Sequence, residues 1–171
     1  MSTSLTLSSM NSPIAIRRAT PSDGFLVEGL TRCIWTGRVS AESTVFQETP
    51  ETVAAQIAKG GAVILEAGAA PIGSGRWGGV PGPGGQGRWM EIKRIGVLPE
   101  FTGRGFGARI LEALEDMGRE QALAGAQLAI RTDQPRLIDF YAGLGYVLAG
   151  DVELTTPNPR SPPPIGMRKW F

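Results

Sequence analysis

The sequence predicts one mixed α/β domain, and three observations lead to that class. Its 171 residues suit a single hydrophobic core. Hydrophobic residues make up 42% and charged residues 19%, the balance of a soluble globular chain. Strand-like and helix-like segments alternate in the order β α α β β β α β α β β, with no internal repeat and no second domain.

Taken in order, the opening "MSTSLTLSSMNSP" has neither the basic start nor the apolar run of a signal peptide, and residues 1–12 read as a loose Ser/Thr-rich tail before a domain over 13–171. "IAIRRAT" (14–20) reads as a first strand. A helix then starts where Thr20 can cap, Pro21 suits the first helical position and Asp23 stands three after the cap. "TPETVAAQIAKGG" repeats this grammar with Thr49, Pro50 and a terminating Gly60. "AVILEA" (62–67) and "PIGSGRW" (71–77) form a hairpin. The Gly/Pro-rich stretch 78–87 is expected as its mobile onward loop, and "RWMEIKRIGVLP" (88–99) as a long strand.

Beyond the glycines of "TGRGFGA" (102–108), Ile110, Leu111, Leu114 and Met117 mark one face of a helix running to about Leu123. "AQLAIRT" (126–132) is a strand, "PRLIDFYAGLG" (135–145) a short helix and "YVLAGDVEL" (146–154) a strand. "TTPNPRSPPPI" carries five prolines between 157 and 164 and is expected to be irregular; "GMRKWF" closes the sheet.

Several chemistries are excluded. Histidine is absent, so no Ser-His-Asp or Cys-His nucleophile can be assembled, and zinc lacks its usual donors. The single cysteine, Cys33, forbids an internal disulfide and is expected to be buried in the first helix; nothing near it in sequence would activate it for an acyl-cysteine mechanism. A net charge of +1 creates no strong field toward nucleic acid or membrane, and no apolar run approaches ~18 residues. These features fit a cytoplasmic protein.

Three glycines at alternate positions between a strand and a helix imply close approach of a ligand to the main chain, and a helix N-terminus there favours an anion. "GRGFGA" satisfies the loose dinucleotide pattern G-x-G-x-x-[GA]. However, it lies beyond the middle of the chain, and ~20 residues later comes only "LAGAQL" instead of an acidic strand end.

A second device matches more of the chain. "KRIGVLPEFTGRGFGARILEALE" resembles the acyl-CoA-binding motif of the GNAT N-acetyltransferases, [QR]-x-x-G-x-[GA], on the turn after the fourth strand. "QPRLIDFYAGLGY" resembles the family's second signature, and "IAIRRATPSD" its first strand and helix start. The resemblance implies a mixed, mostly antiparallel sheet splayed between its fourth and fifth strands, flanked by about four helices. It implies acetyl-CoA as co-substrate, held by the glycine turn (Thr102, Gly103, Arg104, Gly105, Gly107, Ala108), by a bulged strand (Ile95, Gly96, Val97) and by Gln134. Gly96 fits the bulge itself. The chain departs from the motif at Thr102, where Gln or Arg is usual, and at Gln134, which often is Asn.

Two residues are candidates for catalysis. Tyr141 resembles the family's general acid, a phenol of pKa ≈ 10 that protonates the leaving thiolate; the structural alternative is packing beside Leu137 and Leu144. Glu91 stands where the family often has a carboxylate base, sometimes acting through water; the alternative is an exposed strand glutamate beside Lys93. Asp133 and Asp139 are weaker candidates. Trp35, Phe46, Trp77 and Trp89 either wall an acceptor pocket or pack the core.

The function implied is acetyl transfer from acetyl-CoA to an amine, small molecule or peptide, in a ternary complex without metal; a homodimer is plausible for the family. A non-catalytic acyl-CoA sensor and a dinucleotide-dependent oxidoreductase are the alternatives. The acceptor is not legible: neither "WTGRVSAESTVFQET" nor the proline-rich loop carries an acidic or basic run that demands a particular partner.

Overall fold

The structure is a computed structural model that describes residues 11–155 and 157–171. Most of the expected tail, residues 1–10, lies outside the described residues. Among the described residues, seven strands form one sheet: β1 (Ile14–Arg18), β2 (Gly61–Ala67), β3 (Ala70–Pro81), β4 (Arg88–Val97), β5 (Gly125–Ile130), β6 (Val147–Leu148) and β7 (Ile165–Trp170). Their order is β1-β2-β3-β4-β5-β7-β6, and every neighbouring pair is antiparallel except β4 and β5.

The helices α1 (Gly24–Trp35), α2 (Pro50–Lys59), α3 (Phe106–Glu120) and α4 (Arg136–Gly143) cover the two faces. Strand β2 shows how. Ala62 and Ile64 point into a core with Val27 of α1 and Val53 and Ile57 of α2, while Val63, Leu65 and Ala67 point into the larger core with Ile110, Leu111 and Leu114 of α3. Strict alternation with both faces buried gives the strand its unbroken apolar run. Among the described residues, no helix is long and apolar enough to cross a membrane.

The helix starts follow the caps. Thr49 Oγ1 accepts from the Thr52 N–H at 3.2 Å, and Thr52 Oγ1 accepts from the Thr49 N–H at 2.9 Å, with Pro50 opening the helix. Pro21–Asp23 forms a 3-10 turn ahead of α1, its entry held by the Thr20 N–H donating to Asp23 at 2.8 Å.

Three expectations on local structure are corrected. The stretch 78–81 is not loop: Gly78, Gly79, Val80 and Pro81 pair with Glu91, Met90, Trp89 and Arg88, because a long partner strand imposes the extended state on residues that do not favour it. The turn itself narrows to Gly82–Gly87, where Gly84, Gly85 and Gly87 have positive φ. Conversely, of "YVLAGDVEL" only Val147–Leu148 is strand. Ala149 and Val152 lie across β7 so closely that a Cβ on Gly166 would stand 2.5 Å from the Ala149 carbonyl oxygen. Finally, Cys33 is exposed rather than buried.

Candidate active site

The two parallel strands separate almost at once. Only Met90–Ala126 and Glu91–Gln127 are paired, although β4 continues to Val97 and β5 to Ile130. The wedge between them opens into a cleft of about 1000 Å³, lined by Ile92–Val97 on one side and Leu128–Gln134 on the other. The backbone edge of β4 beyond Glu91 thus faces the cleft instead of a neighbouring strand.

A bulge bends β4 at this point. Ser74 pairs with Gly96 and Arg76 with Lys93, so Arg94 and Ile95 together oppose the single residue Gly75. The left-handed residue of the bulge is Arg94 (φ 59°), not Gly96 as the sequence suggested. Gly96 is needed for a different reason: a Cβ there would lie 2.6 Å from Ile34 Cγ2, so its absence admits helix α1. A non-glycine residue at positive φ costs on the order of 1 kcal/mol or more and needs anchoring. Arg94 is anchored twice, donating from Nε to Glu48 Oε1 at 2.9 Å and from Nη2 to Thr44 Oγ1 at 3.0 Å.

The glycine turn closes one end of the cleft. Gly103 (φ 76°) and Gly105 (φ 78°) adopt left-handed conformations, and Gly105 caps α3 without any side-chain hydrogen bond. A Cβ on either would meet nothing within 4 Å, so the demand is conformational and the space before the turn is open. Among the described residues, no acceptor meets the N–H groups of Phe106, Gly107 and Ala108. They form the positive end of a fifteen-residue helix, a ready anion cradle. Thr102, Gly103, Gly105, Gly107 and Ala108 all line the cleft; Arg104 does not. Its guanidinium lies 5.4 Å from the Phe101 ring centre and donates to the Glu100 carbonyl at 3.4 Å.

Tyr141 and Gln134 line the opposite wall. Helix α4 places Tyr141 edge-on against Tyr146, with ring centres 5.8 Å apart. Among the described residues, no group hydrogen-bonds its hydroxyl, and burial pushes its pKa up to about 12. Tyr146 is itself fixed: its hydroxyl donates to the buried Glu115 at 3.0 Å, and Lys169 and Arg119 donate to the same carboxylate at 2.9 and 3.0 Å. Burial, reinforced by that carboxylate, raises the Tyr146 pKa too.

Glu91 is buried in the floor of the cleft and is not an exposed strand residue. Gln127 Nε2 donates to it at 3.1 Å, Thr155 Oγ1 at 2.6 Å and the Thr155 N–H at 3.3 Å, while Lys93 Nζ stands 3.5 Å away. Its carboxylate therefore ties the start of the proline-rich loop to the sheet. Asp133 lines the cleft bound to Arg131; Asp139 does not line it.

The sequence reading missed Glu48, which receives Arg94 on one oxygen and Arg76 on the other, and Thr155, which receives no signal from any motif. Of the four aromatic candidates only Trp35 lines the cleft, its indole N–H buried without a partner among the described residues; Trp77 and Trp89 belong to the buried interior.

Comparison with known proteins agrees with this geometry. The family model described as Acetyltransferase (GNAT) family matches residues 32–146, and the chain belongs to this family. Among solved structures, it is similar to the PaiA N-acetyltransferase of Thermoplasma acidophilum in complex with coenzyme A (17% identity, TM-score 0.71, covering 93% of this chain and 99% of that one). It is also similar to yncA, a putative acetyltransferase from Salmonella typhimurium with its cofactor acetyl-CoA (15%, TM-score 0.69, 92% of each chain). A third is Arabidopsis thaliana Naa50 in complex with the bisubstrate analogue CoA-Ac-MVNAL (17%, TM-score 0.64, 92% of this chain and 99% of that one). No curated protein matches in sequence. The dinucleotide reading also fails on architecture, because that turn belongs to a parallel sheet and this sheet has one parallel pair.

Proposed function

We propose that the protein transfers an acetyl group from acetyl-CoA to an amine by direct attack in a ternary complex. The observation that carries this reading is that one cleft joins the glycine cradle to the unpaired edge of β4. The co-substrate has a pyrophosphate and an amide-bearing arm. The N–H groups of Phe106, Gly107 and Ala108 suit the first, with Gly103 and Gly105 keeping the approach clear; the main chain of Ile95, Gly96 and Val97 suits the second. Gln134 adds an amide on the facing wall. The solved relatives with coenzyme A or acetyl-CoA support the assignment.

In the reaction the free amine attacks the thioester carbonyl carbon. A strand N–H near Ile95 or Val97 stabilises the developing oxyanion. Collapse breaks the C–S bond and leaves the N-acetyl product. The nitrogen gives up one proton, which Glu91 accepts through a water, since the carboxylate oxygens are already engaged by Gln127 and Thr155. Tyr141 protonates the departing thiolate and is reprotonated from solvent. Burial that holds the phenol neutral penalises the thiolate in the same way, which keeps this proton transfer feasible despite the high phenol pKa.

The test is a thermal-shift panel of acetyl-CoA, CoA, NAD and NADP, followed by a thiol-release screen of amines, amino acids and peptide N-termini. Acetyl-CoA at ~100 times its Kd stabilises by about 2.7 kcal/mol. An unchanged melting temperature at millimolar acetyl-CoA would falsify the reading. Binding without turnover across the screen would make the protein an acyl-CoA sensor.

A further inference from the structure

Building on the acetyl-transfer reading, on which it rests, we infer that the acceptor is a free amino acid, an amine that carries a carboxylate, and that Arg38 receives the carboxylate. The charges lining the cleft lead there. Arg131 is bound to Asp133 at 3.1 Å, Arg94 to Glu48 at 2.9 Å, and Lys93 lies 3.5 Å from Glu91. Two cleft arginines have no acidic partner among the described residues, Arg136 and Arg38. Arg136 donates to Gln134 Oε1 at 3.2 Å. It belongs to the cofactor end, because Phe140 of the same helix lies 3.8 Å from where a Gly107 Cβ would stand.

Arg38 enters the cleft from the segment after α1, with Trp35, Val39 and Ser43. It closes a tight turn after α1: its N–H donates to the Trp35 carbonyl at 3.0 Å, Thr36 has φ −60° and ψ 126°, and Gly37 has φ 79°. These are the angles of a type II turn with glycine at its required position. The side chain of Trp35, which opens the turn, packs next to the bulged strand, its Cζ2 3.6 Å from where a Gly96 Cβ would stand. Arg38 is half-buried, and among the described residues its side chain makes no hydrogen bond or ion pair. A half-buried guanidinium carried on a defined turn, and lining the same cleft as Ile95, Gly96 and Val97, fits a carboxylate, which it can bind through two parallel N–H groups.

The same wall disfavours the other amines. A polyamine needs a free carboxylate, and both acids that line the cleft, Glu91 and Asp133, are already engaged by cations. A peptide N-terminus presents a neutral amide where a free amino acid presents its carboxylate, leaving Arg38 unmatched.

The experiment measures thiol release from acetyl-CoA with the amino acids, their α-amides and the matching decarboxylated amines, together with the melting-temperature shift produced by acetyl-CoA. The expected result is at least one amino acid whose kcat/KM exceeds that of its amide by about tenfold or more. In Arg38→Ala that preference falls to about twofold or less through loss on the acid alone, and Arg38→Lys restores part of it. Equal or better use of the amides or amines overturns the inference, as does a preference that survives in Arg38→Ala. Acetyl-CoA binding with no turnover of any compound overturns it while leaving the cofactor assignment intact. No melting shift with acetyl-CoA removes the reading on which it rests.

Discussion

Glu48 and Arg94 bridge the bulge of β4 to the segment leading into α2, with Arg94 Nε 2.9 Å from one carboxylate oxygen of Glu48. The other oxygen receives Arg76 Nη2 at 2.6 Å, and Arg76 is 1% exposed. One carboxylate thus serves a left-handed residue at the mouth of the cleft and a guanidinium in the interior. Burial pulls the Arg76 pKa down, and Glu48 opposes that shift. The bulge that opens the cleft and the segment leading into α2 are therefore tied to one another through Glu48.

Glu48→Gln removes the charge that both arginines share. Breaking a buried pair by deleting one partner costs about 3–5 kcal/mol, because the remaining charge has no compensation. The expected outcome is a large fall in the urea midpoint and weaker acetyl-CoA binding. Arg94→Gly is the comparison: glycine accepts φ 59° without strain and leaves the Arg76 pair intact, so its midpoint should fall less. A parent-like midpoint for Glu48→Gln would show that the pair contributes nothing net.

Gly105→Val should abolish stabilisation by acetyl-CoA while leaving most of the fold in place. The new Cβ meets no protein atom within 4 Å, so the damage comes from φ 78° and from the branched side chain standing before the α3 N-terminus. Calorimetric titration and a melting curve read the two effects separately. Parent-like affinity would locate the phosphate cradle elsewhere.

Tyr141→Phe should lower kcat by roughly 10²- to 10⁴-fold with little change in acetyl-CoA affinity. It also has a signature in stability. The Tyr141 pKa rises from 10.0 to about 12 on folding, so folding favours the neutral phenol. The resulting stabilisation is complete below pH 10 and is lost as pH rises through 12. Urea unfolding at pH 9 and pH 11 should show a smaller alkaline loss in Tyr141→Phe than in the parent, since Tyr146 is common to both. Identical losses and parent-like turnover would reduce Tyr141 to packing.

What the sequence disclosed follows from the range of each signal. Thr49-Pro50 announces α2 because caps act within one turn, and "TGRGFGA" announces the left-handed turn before α3 because positive φ is a local demand on single residues. The length of β3 was hidden, because only its pairing with β4 overrides the preference of Gly78 and Gly79 for a loop. Glu48 and Thr155 were hidden as well. Glu48 lies 46 positions from Arg94, and Thr155 lies 64 from Glu91, so only the folded sheet brings them together. The bulge was misplaced by two residues for a related reason: Gly96 looked permissive, but the strain sits on Arg94, which distant side chains hold.

Thr102→Arg should tighten acetyl-CoA binding. Thr102 lines the cleft beside the cradle, yet its hydroxyl is turned back, donating to the Pro99 carbonyl at 2.8 Å. The neighbouring Arg104 does not supply the missing charge, because it leans over Phe101 outside the cleft wall. A longer cationic side chain at 102 could reach the phosphates, for a gain of about 1.5–3 kcal/mol at best from a charge-assisted hydrogen bond. Losing the Thr102–Pro99 bond costs about 1 kcal/mol, and the exposed position weakens the gain as salt rises. The expected result is therefore a lower Kd at low ionic strength that converges on the parent value at high ionic strength. Weaker binding at both would mean that the turn depends on the Thr102 hydroxyl, and that the phosphates do not pass residue 102.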